Sequence, residues 1–210
     1  MPWFAALAVL AIAYLLGSIP TGYLAGRLVA GIDVREHGSR STGATNVLRL
    51  LGKGPALAVF VVDVAKGAAA ILVARELLER LAMPEPQAWA SWIVCLAGMA
   101  ALLGHARSVW LGFTGGKSAA TGLGVLLALS WPVGLGAAAA FAVVLAALRI
   151  VSLASMLGAL TAIILVCSLQ QPLAYRVLVI AGAAYVVARH RANIQRLVAG
   201  TEPRLGQASR

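Results

Sequence analysis

Long apolar runs separated by shorter polar segments dominate this sequence, at about 2–24, 55–74, 88–104, 119–131, 132–148, 150–169 and 172–188. Several approach the ~20 residues an α-helix needs to cross a ~30 Å hydrocarbon layer. Of 210 residues, 61% are apolar and 11% charged, more greasy surface than one water-soluble core could hide. In lipid each segment must satisfy its own backbone polar groups, and no stretch alternates polar and apolar residues as a barrel strand does. The expected fold is an all-α integral membrane protein, a bundle of seven transmembrane helices. No internal repeat, low-complexity tract or linker interrupts it, so one membrane-embedded domain over 1–210 is expected.

Charge sets the expected orientation. The segment after the first run carries Arg27, Arg35, Arg40, Arg49 and Lys53, and the C-terminal tail carries Arg189, Arg191, Arg196, Arg204 and Arg210. Both belong on the cytoplasmic side by the positive-inside rule, so the number of spans is odd and the N-terminus lies outside. Arg107, Lys117 and Arg149 then also face in. Of the 17 basic residues only Arg75, Arg80 and Arg176 face out, while Lys66 falls inside a span. The net charge of +10 is therefore accounted for by topology, and no nucleic-acid partner is expected. Met1-Pro2-Trp3 lacks the positive flank of a signal peptide, so the first span is expected to be retained. Cys95 and Cys167 sit in apolar runs and read as core residues, with no disulfide, metal site or cofactor expected.

Three polar islands remain to be explained, all on the predicted inner face. The first contains Gly17-Ser18-Ile19-Pro20, Gly38-Ser39, Gly43-Ala44-Thr45-Asn46 and Arg49, where small residues let backbone wrap a ligand and a guanidinium offers a fork for phosphate oxygens. The second runs from Gly104-His105 through Gly115-Gly116-Lys117 to Thr121. Glycine N–H groups, one cation and the positive end of the following helix form an anion nest there. Gly112 to Ser118 is one residue short of a nucleotide-binding P-loop, and no strand precedes it, which excludes that chemistry. The third island, His190 to Glu202, places His190, Asn193 and Leu197 on one helical face. Taken singly, each island also reads as a turn-rich loop, a positive-inside lysine or a headgroup contact.

Within the second span, Asp63 and Lys66 stand at i, i+3. Each charge alone would cost about 2.5–3.5 kcal/mol at a helix centre, so a mutual pair is expected. Ser152 and Ser155, just after Arg149, share a face directed to the same side.

Together the islands resemble the three motifs of the bacterial acyl-phosphate-dependent glycerol-3-phosphate acyltransferases, the PlsY family. Asp63-x-x-Lys66-Gly67 and Arg149-x-Val151-Ser152 extend the similarity over nearly the whole chain. It departs where Arg40-Ser41 replaces the usual Gly-Asn, where Ala106-Arg107-Ser108 replaces a proline-rich stretch, and where Ser118 replaces a common glycine.

The resemblance implies transfer of a fatty acyl group from acyl phosphate to the 1-hydroxyl of sn-glycerol 3-phosphate, giving lysophosphatidate and phosphate. It implies a bacterial plasma (inner) membrane setting and a site open to the cytoplasm. Ser39, Arg49, Lys117, His190 and Asn193 are the implied catalytic set. Thr45, Asn46, His105, Gly115, Gly116, Arg149 and Ser152 are the implied substrate-binding set, with Glu202 tying down the tail. Glycerol 3-phosphate, long-chain acyl phosphate and membrane lipid are the expected partners, and a monomer or weak oligomer the expected state. Acyltransferases that use His-x4-Asp are excluded, because Thr42, Trp110 and Gln195 stand five positions after His37, His105 and His190. A transporter would show interrupted spans in matched halves, and none is evident in the sequence. A structural anchor would leave the nest unexplained.

Overall fold

The structure, a computed structural model, describes residues 2–80 and 87–206. Ten α-helices follow in order: α1 Pro2–Ser18, α2 Thr21–Ala30, α3 Ala44–Leu51, α4 Lys53–Arg80, α5 Gln87–Ala106, α6 Ala119–Leu129, α7 Trp131–Leu148, α8 Val151–Ser168, α9 Leu173–Arg189 and α10 Arg191–Val198. Among the described residues there is no strand, only an isolated bridge between Ser108 and Thr114.

Small residues decide which helices meet. A Cβ on Gly67 would lie 2.1 Å from the carbonyl oxygen of Thr121, and one on Gly124 would lie 1.9 Å from that of Val64, so α4 and α6 touch backbone to backbone. Gly17 against Ala101 and Gly104 against Tyr14 do the same for α1 and α5. In lipid, where apolar side chains gain little by leaving their solvent, close backbone approach of this kind is a main source of helix adhesion. Around it sits a core of Val9, Ile71, Ala97, Ala101, Val125 and Leu178, and a second of Val133, Ala137, Ala162, Val166 and Val179. Large apolar side chains such as Leu28, Leu57 and Val143 point outward, as a lipid-facing surface requires.

Among the described residues, five segments are long and apolar enough to cross a membrane, counting α1 and α2 together, and α9 with α10 makes a sixth if its 60° bend is counted within one span. The seventh expected crossing falls on α6, whose 11 residues reach only about 16 Å. The register explains this brevity. Gly67 of α4 lies against Thr121 and Arg75 against Ala128 and Leu129, so the two helices run parallel, and α6 starts level with the Asp63–Lys66 turn. That level is about 15 Å from the Lys53 end of α4. Arg75 Nη1 donates to the carbonyl of Ala128 at 2.9 Å and Nη2 to that of Leu129 at 3.4 Å, satisfying acceptors that the end of α6 leaves free.

The expectation of uninterrupted spans is corrected. The first run breaks at Ile19–Pro20, because proline brings no N–H and its ring clashes with a continuing helix. Lys66 Nζ donates to the carbonyl of Ile19 at 2.8 Å, and Thr21 Oγ1 donates to Asp63 Oδ1 at 2.6 Å. The expected Asp63–Lys66 pair is present at 2.8 Å, and it also mends this break.

Candidate active site

α3 and the loop before it, the middle of α4, the ends of α5 and α9 and the starts of α6 and α8 gather around one cavity of about 230 Å³. Ser39, Thr45, Asn46, Arg49, His105, Lys117, Ser152, His190 and Asn193 all line it, so segments far apart in sequence converge as expected. Ser41, Asp63, Ser118, Ser155 and Glu202 line it too. Beyond this polar end the lining turns apolar, with Leu126, Phe141, Gly158, Ala162, Val179 and Ala183 along it.

The first island is a loop wound on one amide. Asn46, 1% exposed, donates through Nδ2 to the carbonyls of Val34, His37 and Ser41 at 2.9, 3.2 and 3.0 Å, while its Oδ1 accepts the N–H of Ser39 at 2.8 Å. Its amide thereby organises the loop that presents Ser39. Arg35 pins this loop to the second island: it pairs with Asp33 at 2.7 Å and donates to the carbonyl of Leu111 at 3.2 Å and to Thr114 Oγ1 at 3.3 Å. The Arg35 guanidinium holds the Asp33 carboxyl down to about 2.

In the second island, Gly115 and Gly116, expected as a nest for phosphate, stand behind Lys117 against His105. Neither lines this cavity, and the N–H of Gly116 donates to the carbonyl of His105 at 3.1 Å. A Cβ at 115 would sit 2.2 Å from the His105 carbonyl oxygen, and one at 116 would sit 2.1 Å from its Nε2. The glycines are needed for contact with His105, which swings Lys117 into the cavity. Ser118, Ala119 and Ala120 follow along its wall, so the positive end of α6 faces the same space.

A chain of hydrogen bonds links the second island to the third. Lys117 Nζ donates to Asn193 Oδ1 at 2.5 Å, and Asn193 Nδ2 donates to Glu202 Oε1 at 2.5 Å. Ser152 Oγ donates to the same oxygen at 2.7 Å, and Arg196 Nε donates to Oε2 at 2.7 Å. A carboxylate only accepts, so Glu202 fixes which way the Asn193 amide points. Burial works to raise the Glu202 carboxyl, but the bonds from Ser152, Asn193 and Arg196 outweigh it and hold it below its ordinary value. His190, 3% exposed, has Nδ1 2.7 Å from the carbonyl of Val186. That contact requires a proton on Nδ1, which leaves Nε2 as the acceptor of a neutral ring.

Burial lowers the Lys117 ammonium to about 8, with Arg196, Arg49 and Arg189 adding repulsion and Glu202 opposing them. A lysine so placed gains from any anion that joins it. Arg149, expected to bind substrate, does not line this cavity. It caps α7 in the left-handed region at φ 61° and accepts the N–H of Leu205 on its carbonyl at 2.7 Å, which fastens the tail. Sequence reasoning missed Arg189 and Arg196 as neighbours of Lys117, though Arg196 lies within the third island and Arg189 directly before it. It weighed Asp63 as a partner of Lys66 or part of a proton relay and did not place it at the cavity, since periodicity does not reveal which face of α4 meets it.

A helical membrane bundle whose cavity holds Lys117 and Arg49 at a polar end and runs on between apolar walls is built to handle an anionic amphiphile. Comparison with known proteins places the chain more narrowly: it belongs to the glycerol-3-phosphate acyltransferase family, whose sequence profile matches residues 7–200. "Glycerol-3-phosphate acyltransferase 2" of Rhizobium johnstonii is 65% identical over 99% of both chains, and the acyltransferase of Acaryochloris marina is 56% identical over 94% of this chain and 91% of its own. Among solved structures, the integral membrane glycerol 3-phosphate acyltransferase PlsY (YgiH) in its glycerol 3-phosphate form superposes with a TM-score of 0.86, 37% identity and 96% coverage of each chain. Its lysophosphatidic acid form gives 0.83, 36% identity and coverage of 96% and 95%.

Proposed function

We propose that this protein moves a fatty acyl group from acyl phosphate to the 1-hydroxyl of sn-glycerol 3-phosphate, releasing phosphate and 1-acyl-glycerol 3-phosphate. The observation that carries the reading is the continuity of one cavity, cationic at one end and apolar along the rest. Acyl phosphate is a mixed anhydride whose leaving group is already good, so little activation is asked of the protein. The substrate hydroxyl oxygen attacks the acyl carbon, the C–O bond to phosphate breaks, and the hydroxyl proton must be taken up. His190 Nε2 is one acceptor and a substrate phosphate oxygen the other. Lys117, Arg49 and the start of α6 would hold the two phosphoryl groups and offset their mutual repulsion. Ser39, Ser152 and Asn193 would orient them, and the acyl chain would occupy the apolar channel.

The topology we propose has seven crossings, N-terminus outside, C-terminus and site cytoplasmic, in the bacterial plasma membrane. It is supported by the shared cavity, because a pair of helices separates each polar segment from the next. Those pairs are α4 and α5, then α6 and α7, then α8 and α9. The 28-residue α4 extends about 42 Å, longer than a ~30 Å hydrocarbon layer, so its first turns can stand above the lipid and wall the entrance.

Purified protein in detergent, given acyl phosphate and glycerol 3-phosphate, should release phosphate and form lysophosphatidate, and acyl-CoA should not substitute. Turnover with acyl-CoA alone would overturn the donor assignment. Absence of any acyl transfer, with binding of glycerol 3-phosphate intact, would favour a carrier.

A further inference from the structure

Resting on that reading, we propose that the floor of the apolar channel, formed by Ala137, Ala162, Leu178 and Val179, measures the acyl chain the protein accepts. Ala159 and Ala183 mark its half-way point. The channel follows two helices. On α8 it is lined from Ser152 to Ala162, ten residues, and on α9 from His190 back to Leu178, twelve residues, giving a depth of about 15–18 Å. Packed core lies beyond that depth. Ala162 and Val179, 1% and 5% exposed, belong to a cluster with Val133 and Val166, and Leu178 belongs to the main core with Ile71 and Val125.

An extended alkyl chain, a zigzag of roughly 1.5 Å bonds, advances about 1.3 Å per carbon, so the channel takes roughly 12–14 carbons before the floor stops it. This depth is about half of a ~30 Å hydrocarbon layer, which would leave the held chain level with the lipid chains of one leaflet. A methylene that leaves detergent for the channel gains only wall contact, so length should matter little until the floor is met, and each carbon beyond it should weaken binding. Ala159 and Ala183 each lie seven residues from the polar end, Ser152 and His190 respectively, so two walls carry only a methyl group at the same depth of about 10 Å. A leucine at either place would block the lumen near the eighth carbon.

The test compares the full-length wild type with A183L, A159L and L178A. Two profiles are measured for chains of about 8 to about 18 carbons: binding of lysophosphatidates at fixed mole fraction in detergent, and turnover of the matching acyl phosphates. For the wild type, affinity should hold level or rise slightly with length up to about 12–14 carbons and fall beyond it. For A183L and A159L the end of that plateau should move to about 8 carbons, with at least about a tenfold loss for long chains and less than about a threefold change for the shortest. For L178A, a deeper floor should move it the other way. Identical length profiles in all four proteins, or a uniform loss at every length, would overturn the proposal. The binding arm needs no acyl donor. A length shift seen there, with no turnover of any acyl phosphate by the wild type, would sink the donor assignment and leave the measuring floor standing.

Discussion

Lys117 shows how one residue's surroundings set a measurable property. Its ammonium titrates at about 8 because burial and three arginines disfavour its charge, more than Glu202 and the bond to Asn193 restore. If the charged form binds phosphate, kcat/KM for glycerol 3-phosphate should fall as pH rises through about 8. An ordinary lysine would hold to about 10.4. Bound phosphate favours the proton, so kcat should fall at higher pH than kcat/KM. The stability sign is opposite: between about 8 and the unfolded value the unfolded chain binds more protons, so folding stability should rise with pH there. K117R, charged throughout, should lose the alkaline limb of kcat/KM at a lower overall rate. A wild-type profile that stays flat to pH 10 would remove Lys117 from phosphate binding. Two of the residues at which the sequence departs from its family also gain a meaning at this scale. Arg40 at φ 57° and Ser118 at φ 64° occupy the left-handed region that glycine enters without strain, and Ser118 is anchored there by a 2.7 Å bond from Oγ to the carbonyl of Leu102. The sequence marks where glycine is missing, whereas the backbone angle that explains its usual presence is visible only in the fold.

Among the elements, α6 was the least legible. Its residues are as apolar as those of a full span, and composition carries no signal that residues 107–118 descend into the bundle and start the helix level with Asp63. The three islands could be read because glycine, serine, asparagine and arginine stand out against an apolar background. Individual roles within them could not. Asn46 and Gly116 look like ligand groups by type, yet their polar atoms meet other loop backbone. The parallel contact of α4 with α6 holds the start of α6, and so Lys117, in place. G67A drives a Cβ to 2.1 Å from the Thr121 carbonyl oxygen, where backbone must shift, and should cost about 1–3 kcal/mol in thermal or denaturant unfolding in detergent. G122A, on the partner helix α6, meets only a leucine methyl at 3.5 Å and should be neutral or slightly stabilising. Equal losses from the two would show that general helix effects, rather than the backbone contact, set the stability of this pair.

For the whole molecule, the proposed function requires that segments distant in sequence face one side of the membrane. Ser39, Lys117, Ser152 and His190 line one cavity, and the polar segments that carry them are separated in turn by the pairs α4 and α5, α6 and α7, and α8 and α9. The parity works only if α6 counts as a crossing. It can do so because it begins deep and needs to cover only the remaining depth, with Arg75 satisfying its far end. The first span, broken at Pro20 but continuous in direction, then puts the N-terminus on the opposite side from the tail. A background lacking Cys95 and Cys167 allows a direct check with a membrane-impermeant thiol reagent on right-side-out and inverted vesicles. H37C in the first polar loop and V198C at the end of α10, 87% exposed, should label only in inverted vesicles. R80C, at the far end of α4 with a side chain 75% exposed, should label only in right-side-out vesicles. Labelling of H37C and V198C from opposite faces would mean that one helix pair fails to return. The cavity would then have to join groups from both sides of the bilayer, and the proposal of a single cytoplasmic phosphate site would be lost with it.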